Sequence, residues 1–517
     1  MNARAFHVLT FALSVGVAGM GFGAGAEPAR EFGFLRIGQL RVRGSQEIAG
    51  SRWGVSCCWI ADEHPLSVEQ RLDHLSAVGA KWALIVPDWN RIEQRKGMYD
   101  WNTPAHRLDD VINSLVRRKI APVIQVYGGN RLYMQTKPDA NNRPLAEAVK
   151  LLDDPEVRAA WLRFVEAMVR RYRAQVKFWE IWNEPNGEWF WATPTTVKDY
   201  GRMVRDVATL IKRAQHDAVI LAGSTANVPL DFLDGFLSSA GAGSFRHWTV
   251  HPYGELPEAR DKPIRAIQDL LRTRGKSPAV WQSECGFPSS ADTGGWGFGG
   301  PWDEAKHAKW LLRRLLSDVR LGMPVSIYFV LHDYPAQLEA GPDKGKMGIN
   351  RKGLYRHGSW ERKPAADAFT HLSSLLDNRF DLAPTAPPPH FEITANSSFN
   401  PKTEVDRSAG IPAGSTSVFG FKEPKLETIK TCLLKHKPSG QPALVYWLGV
   451  PMETKFRPAR VTVTMPRAAI KQPVLVDLLD GSVHALPRGA RFENLPLADS
   501  PLVLCDRSAV ELMRTQK

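Results

Sequence analysis

Between Trp53 and about Leu376 the chain repeats one theme eight times: a short apolar run, then a stretch with helical periodicity. The runs are WGVSCCW, KWALIVPDW, APVIQVYGG, KFWEIWNE, AVILAGS, HWTVHPYG, AVWQSECG and PVSIYFVL. Runs of this length read as buried strands. The intervening segments read as amphipathic helices. From Thr195 to Ala214, residues Val197, Tyr200, Met203, Val204, Val207, Leu210 and Ile211 recur at three- and four-residue steps, behind Thr195 or Thr196 as a cap. A second helix is expected from Asp303 to Leu321, stopped by Gly322 and Pro324. Eight strand–helix units in sequence favour a closed (β/α)8 TIM barrel over an open sheet. A doubly wound sheet usually shows a Gly-rich phosphate turn after its first strand. Here CCWIADEHP occupies that place.

At 517 residues the chain is too long for the barrel alone. Four prolines between Pro384 and Pro389 mark a stiff connector, and beyond it helical periodicity stops. Runs such as ALVYWLGV, ARVTVTM, QPVLVDLL and SPLVLCD alternate with Gly, Pro and Asp turns, which predicts an antiparallel β-sandwich. At the other end, Arg4 and His7 precede an apolar run from Val8 through Met20 and an Ala-x-Ala pattern at Ala24 and Ala26. This is the pattern of a cleavable secretory signal, with the mature chain starting near Glu27. The expected organisation is signal peptide 1–26, barrel 27–380, linker 381–390 and sandwich 391–517. A secreted or periplasmic protein without stable membrane insertion follows, since no second run reaches spanning length.

Five cysteines are few for an exported chain of this size. Cys432 and Cys505 both fall in the C-terminal region, where a bridge is one reading; small packed core residues are the other. No Cys/His spacing resembles a zinc site. The net charge of +13 becomes +12 without Arg4, which favours anionic partners such as acidic polysaccharides if it is more than a solvated basic surface. There is no dense basic run with interleaved aromatics, so nucleic acid is not an expected partner. Nothing in the sequence sets an oligomeric state.

In such barrels chemistry sits at the C-terminal ends of the strands. The fourth run ends in Asn183-Glu184, the sixth in His251-Pro252-Tyr253, the seventh in Ser283-Glu284 and the eighth in His332-Asp333. Glu184 and Glu284 lie 100 residues apart, or three units of roughly 30 residues. Strands four and seven of eight therefore bring both carboxylates over one cleft. Two opposed carboxylates are the minimal machinery for cleaving a glycosidic bond. Strict alternation would turn Asn183 and Glu184 to opposite faces, so the strand must end or bulge there if both act.

WEIWNEPN, HPYG and WQSECGF together resemble the strand-four, strand-six and strand-seven motifs of the clan A glycoside hydrolases. WNRIEQRKGMYDW resembles the segment after strand two in the same group, and PVLVDLLDG with LPLADSPLVL resembles its appended sandwich. The likeness is to family 39, with a family 5-like assignment also open. It implies a retaining glycosidase of a poly- or oligosaccharide, a bacterial exopolysaccharide among the candidates, with no metal or organic cofactor. By resemblance Glu184 is the acid/base, Glu284 the nucleophile and Asn183 the partner of the sugar 2-hydroxyl. His251 and Tyr253 would line the site, the tyrosine holding the nucleophile. Glu184 must start protonated, so its pKa is expected above that of Glu284.

Two positions depart from the pattern. Leu84 stands where the clan carries an arginine supporting the nucleophile, and only Arg52 and Arg91 offer themselves as substitutes. Strand eight lacks the usual Trp and offers Tyr328, His332 and Asp333 instead. These departures motivate a rival expectation, a catalytically degenerate glycan-binding protein. Sugar faces stack on aromatic rings, and Trp59, Trp89, Tyr127, Trp189, Trp191, Trp296 and Trp302 fall at or beyond strand ends. GINRKG, at Gly348 to Gly353, reads as a basic turn rather than a binding site.

Overall fold

The computed structural model describes residues 33–135, 143–291, 302–337, 346–383, 392–395, 429–465 and 470–514. All eight apolar runs form strands: β1 Trp53–Ser56, β2 Trp82–Ile85, β3 Ala121–Val126, β4 Phe178–Ile181, β5 Val219–Ala226, β6 His247–His251, β7 Trp281–Cys285 and β8 Ser326–Tyr328. They pair in parallel in chain order, and β8 closes on β1 with Ser326 opposite Trp53. The molecule is a TIM barrel followed by C-terminal antiparallel sheets.

The helices follow their periodicity. Val197–Ala214 starts at Thr196, whose hydroxyl accepts from Asp199 N while the Asp199 carboxylate accepts from Thr196 N, a reciprocal cap. Its buried face carries Tyr200, Met203, Val204, Val207, Leu210 and Ile211. Glu304–Arg320 is capped by Asp303 and ends before Gly322, at φ +69°. Such a conformation costs a residue with a Cβ more than it costs glycine.

Packing closes one end of the barrel. At the N-terminal ends of β2, β4 and β7, Trp82, Phe178 and Trp281 pack with ring centroids 5.0–5.4 Å apart. The barrel is filled rather than hollow, so a ligand can approach only from the opposite mouth. Leu84, Val123, Leu221 and Ile327 form an apolar cluster with Trp281. Leu84 is fully buried in it.

The C-terminal region forms a seven-stranded and a three-stranded antiparallel sheet. The larger sheet takes strands from both sides of the barrel sequence: Arg36–Gln39 pairs with Ser482–Ala485, and Phe380–Leu382 pairs with Ile429–His436. Pro384 to Pro389 lie outside the described residues. Cys432 and Cys505 are free thiols, which corrects the bridge reading. Their strands flank Pro442–Leu448 on opposite sides, two strand spacings or roughly 9–10 Å apart, beyond disulfide reach. Cys57, Cys58 and Cys285 are free and buried as well.

Charged side chains join barrel and sheet. Buried Arg313 makes a two-pronged pair with Glu258, at 2.7 and 2.6 Å, and donates to Val450 O. Trp447 Nε1 donates to the same Glu258 at 2.6 Å. Lys309 pairs with Asp499 at 3.0 Å. No helix among the described residues is long and apolar enough to cross a membrane.

Candidate active site

Strand β4 stops at Ile181, and the chain then leaves strand geometry, with Trp182 at φ +72° and Glu184 at φ +42°. Positive φ in a residue with a side chain is costly and is held by its surroundings. Here Trp182 N donates to Val126 O, Glu184 N donates to Ser224 O, and the buried Trp182 ring stacks on Trp191 at 3.9 Å. Alternation is broken where two adjacent side chains must share a face. Asn183 Oδ1 accepts from Gln125 Nε2 at 3.0 Å, while Glu184 Oε1 reaches His251 at the end of β6.

A bulge in β5 supplies the next group. Register shifts between Ala222 and Thr225, with Gly223 at φ +111° and Ser224 at +46°. A Cβ on Gly223 would sit 2.4 Å from Thr249 O, so the bulge requires glycine. It turns Ser224 Oγ to within 3.0 Å of His251 Nε2. His251 is fully buried, and its Nδ1 lies 2.9 Å from Glu184 Oε1 and 3.9 Å from Glu284 Oε1. On β7 the register shifts between Gln282 and Cys285, which delivers Glu284 to the same mouth. Tyr253 OH donates to Glu284 Oε1 at 2.8 Å. One oxygen of each glutamate and a ring nitrogen of His251 lie within 4.8 Å of one another. That spacing would admit a cation. His251 Nδ1 and Glu284 Oε1 already take part in hydrogen bonds, so the trio is read as an acid–base cluster.

Charge in the cluster is shared. Burial pushes the Glu284 carboxyl up, and Glu184 adds to this, while His251, the Tyr253 hydroxyl and Lys352 draw it back. Burial disfavours a charged His251, but Glu284, Glu184 and Glu180 overcome this and raise its pKa to about 9. Beneath the mouth, fully buried Glu180 is also raised by burial and accepts from Gln125 at 2.9 Å.

Trp189 extends the site outward. Its indole nitrogen donates to Glu184 Oε2, yet 47% of the residue is exposed. The ring lies over Gly187, where a Cβ would come within 2.4 Å of it. Trp59 and Tyr127 are half-buried, Trp59 against Tyr334 and Tyr127 edge-on to Trp182 and Phe190.

Other expected groove residues are packed away from the cluster. Trp89 is 1% exposed, its nitrogen on Glu93 and its ring against Tyr133 and Phe164, because the short helix it begins folds inward. Trp302 is buried against Phe287, as is Trp191 on Trp182. Asp333 is buried in a 2.6 Å pair with Lys363 and accepts from Gly353 N, which gives it a scaffolding position. Trp296 lies outside the described residues. Of the two candidate arginines, Arg52 donates to Met323 O at the closed end, and Arg91 pairs with Asp62 and Asp88. Neither contacts Glu284.

His332 stacks on Trp360 at 4.5 Å beside His64. Burial, then the charges of His64, Arg71, His357 and His74, push its pKa down to about 3, against 6.5 unfolded. A depressed histidine contributes stability that is complete above its unfolded value and lost as pH falls toward its folded one. The melting temperature is therefore expected to fall from pH 6.5 toward pH 3. His332→Phe should remove roughly 2–3 kcal/mol of the loss seen by pH 4. Parallel melting curves for the two proteins between pH 7 and 4 would contradict this.

The architecture matches solved structures. A family 39 glycoside hydrolase from the gut symbiont Bacteroides cellulosilyticus WH2 aligns with TM-score 0.61 and 18% identity, over 91% of this chain and 83% of that one. The fold is that of family 39 structures. The family 39 enzyme from Xanthomonas axonopodis pv. citri aligns with TM-score 0.54 and 14% identity, over 92% and 99%. A monomeric beta-xylosidase from Caulobacter crescentus CB15 aligns with TM-score 0.52 and 15% identity, over 88% and 97%. No protein-family model matches the sequence, and no curated protein does. Within this family 39-like fold, sequence reasoning overlooked Gln125, Glu180 and Ser224. The glycine in AVILAGS was the available signal, since an isolated strand glycine often marks a bulge.

Proposed function

We propose that this chain is a retaining glycoside hydrolase acting on a poly- or oligosaccharide, with Glu184 as acid/base and Glu284 as nucleophile. The observation that carries the reading is the approach of one oxygen of each within 4.8 Å at the C-terminal ends of the barrel strands. Retaining pairs stand about 5–5.5 Å apart, whereas inverting pairs leave about 6.5–9.5 Å for a water. Glu184 gives its proton to the leaving oxygen while Glu284 attacks the anomeric carbon, so the glycosidic bond breaks as an ester forms. Water then attacks that ester, Glu184 takes its proton, and Glu284 leaves as carboxylate. The Tyr253 hydroxyl holds Glu284 Oε1 and leaves the other oxygen for attack. Trp189 would stack a sugar on the leaving-group side. No metal or organic cofactor takes part in this scheme. Export through the segment 1–26 belongs to the same proposal.

Hydrolysis of a panel of aryl and oligomeric glycosides, xylosides included, tests the reading. Proton NMR of the first product should show the anomeric configuration of the substrate. Inverted product would remove the double displacement, and sugar binding without turnover would favour the glycan-binding alternative. Transfer to an added sugar acceptor would indicate transglycosylation by the same residues. Tyr253→Phe is expected to lower kcat about 10- to 100-fold with little change in KM, because its hydrogen bond follows the nucleophile through the reaction. A change confined to KM would contradict that role.

A further inference from the structure

The GINRKG turn does more than connect two elements. Lys352 within it is 2% exposed, and its ammonium lies 4.7 Å from the centroid of the Tyr253 ring and 5.8 Å from that of Phe329. The backbone there is fixed on both sides. Lys352 N donates to Asn350 Oδ1, and Lys352 O accepts from Tyr328 OH at 2.8 Å. Gly353 N donates to Asp333 Oδ1, and a Cβ on Gly353 would fall 2.1 Å from Asp333 N. The loop can close on β8 only with glycine there, and this places the lysine. A buried cation over an aromatic face is held by the ring quadrupole. Tyr253 is the residue whose hydroxyl binds Glu284.

We propose that Lys352 is a positioning residue that holds Tyr253 on Glu284 and favours the ionised carboxylate there. It supplies from the β8 side the positive charge that Leu84 does not supply from β2. Among the described residues, the groups facing Glu284 are Glu184 from β4, His251 and Tyr253 from β6, Cys58 after β1 with Arg143 behind it, neighbouring Cys285, and Lys352. Lys352 favours the anionic form of Glu284, as do His251 and the Tyr253 hydroxyl.

The kinetic part of this inference rests on the hydrolase reading, so its test has a second readout. In protein labelled with 13C at glutamate carboxyls, the Glu284 resonance is assigned by its loss in Glu284→Gln and then titrated. Lys352→Met is expected to raise the Glu284 midpoint by about one pH unit, a tenfold change in ionisation, and Lys352→Arg to restore it. Lys352→Gln replaces the Met variant should the latter not fold. On a 4-nitrophenyl glycoside cleaved by the wild type, the acidic limb of kcat/KM should move by the same amount in the neutral variant. An unmoved midpoint, or equal midpoints in the Met and Arg variants, overturns the proposal. A moved midpoint in a protein that hydrolyses nothing upholds it and rejects the hydrolase reading instead.

Discussion

Glu284→Ala is expected to lower kcat on every hydrolysed glycoside by about 10⁴- to 10⁶-fold, close to 5–8 kcal/mol of transition-state stabilisation. The size follows from the role, because among the described residues no other carboxylate joins Glu184 and Glu284 in the cluster. Glu180 lies beneath the mouth with no exposed surface, and Glu184 serves the leaving group. Removing the side chain opens room for a small anion beside Tyr253. Added azide should therefore restore turnover of an activated aryl glycoside and give a glycosyl azide of inverted configuration. Glu184→Ala should behave differently. Substrates with poor leaving groups should lose most of their rate, while a dinitrophenyl glycoside, which needs no proton to depart, should form its ester almost normally. More than about one per cent residual activity in Glu284→Ala would remove it as nucleophile.

The second large effect concerns the joint between barrel and sheet. Arg313→Met is expected to destabilise the protein by about 3–5 kcal/mol, because Glu258 would keep its charge in a fully buried place with only Trp447 as a side-chain donor. Arg313 holds Glu258 below the usual carboxylate range against the opposing effect of burial. Arg313→Met combined with Glu258→Leu should recover most of the loss, since it is the unpaired charge that costs most. Urea unfolding of the single and double variants measures both. A double variant less stable than either single would show that the pair itself stabilises the joint.

Much of the site was legible in the sequence because the barrel converts order along the chain into position around a ring. Eight runs with helical spacers define eight parallel strands, and the last residues of each run then lie at one mouth. Glu184, His251, Tyr253 and Glu284 needed no more than this. Trp89 and Asp333 were drawn into the same expectation because they also follow strand ends. Burial against Phe164 and pairing with Lys363 depend on neighbours that strand position does not identify.

The sequence by itself determined the closed barrel, the antiparallel sheets after it and the two glutamates at its mouth, since periodicity and spacing are local properties of a chain. Tertiary structure decided the rest: the break at Trp182 that lets Asn183 and Glu184 share a face, the bulge that brings Ser224 to His251, and Lys352 beside Tyr253. Each depends on contacts between residues from about 27 to about 100 positions apart, where a hydrogen bond or a missing Cβ selects a backbone geometry that no single segment would adopt alone.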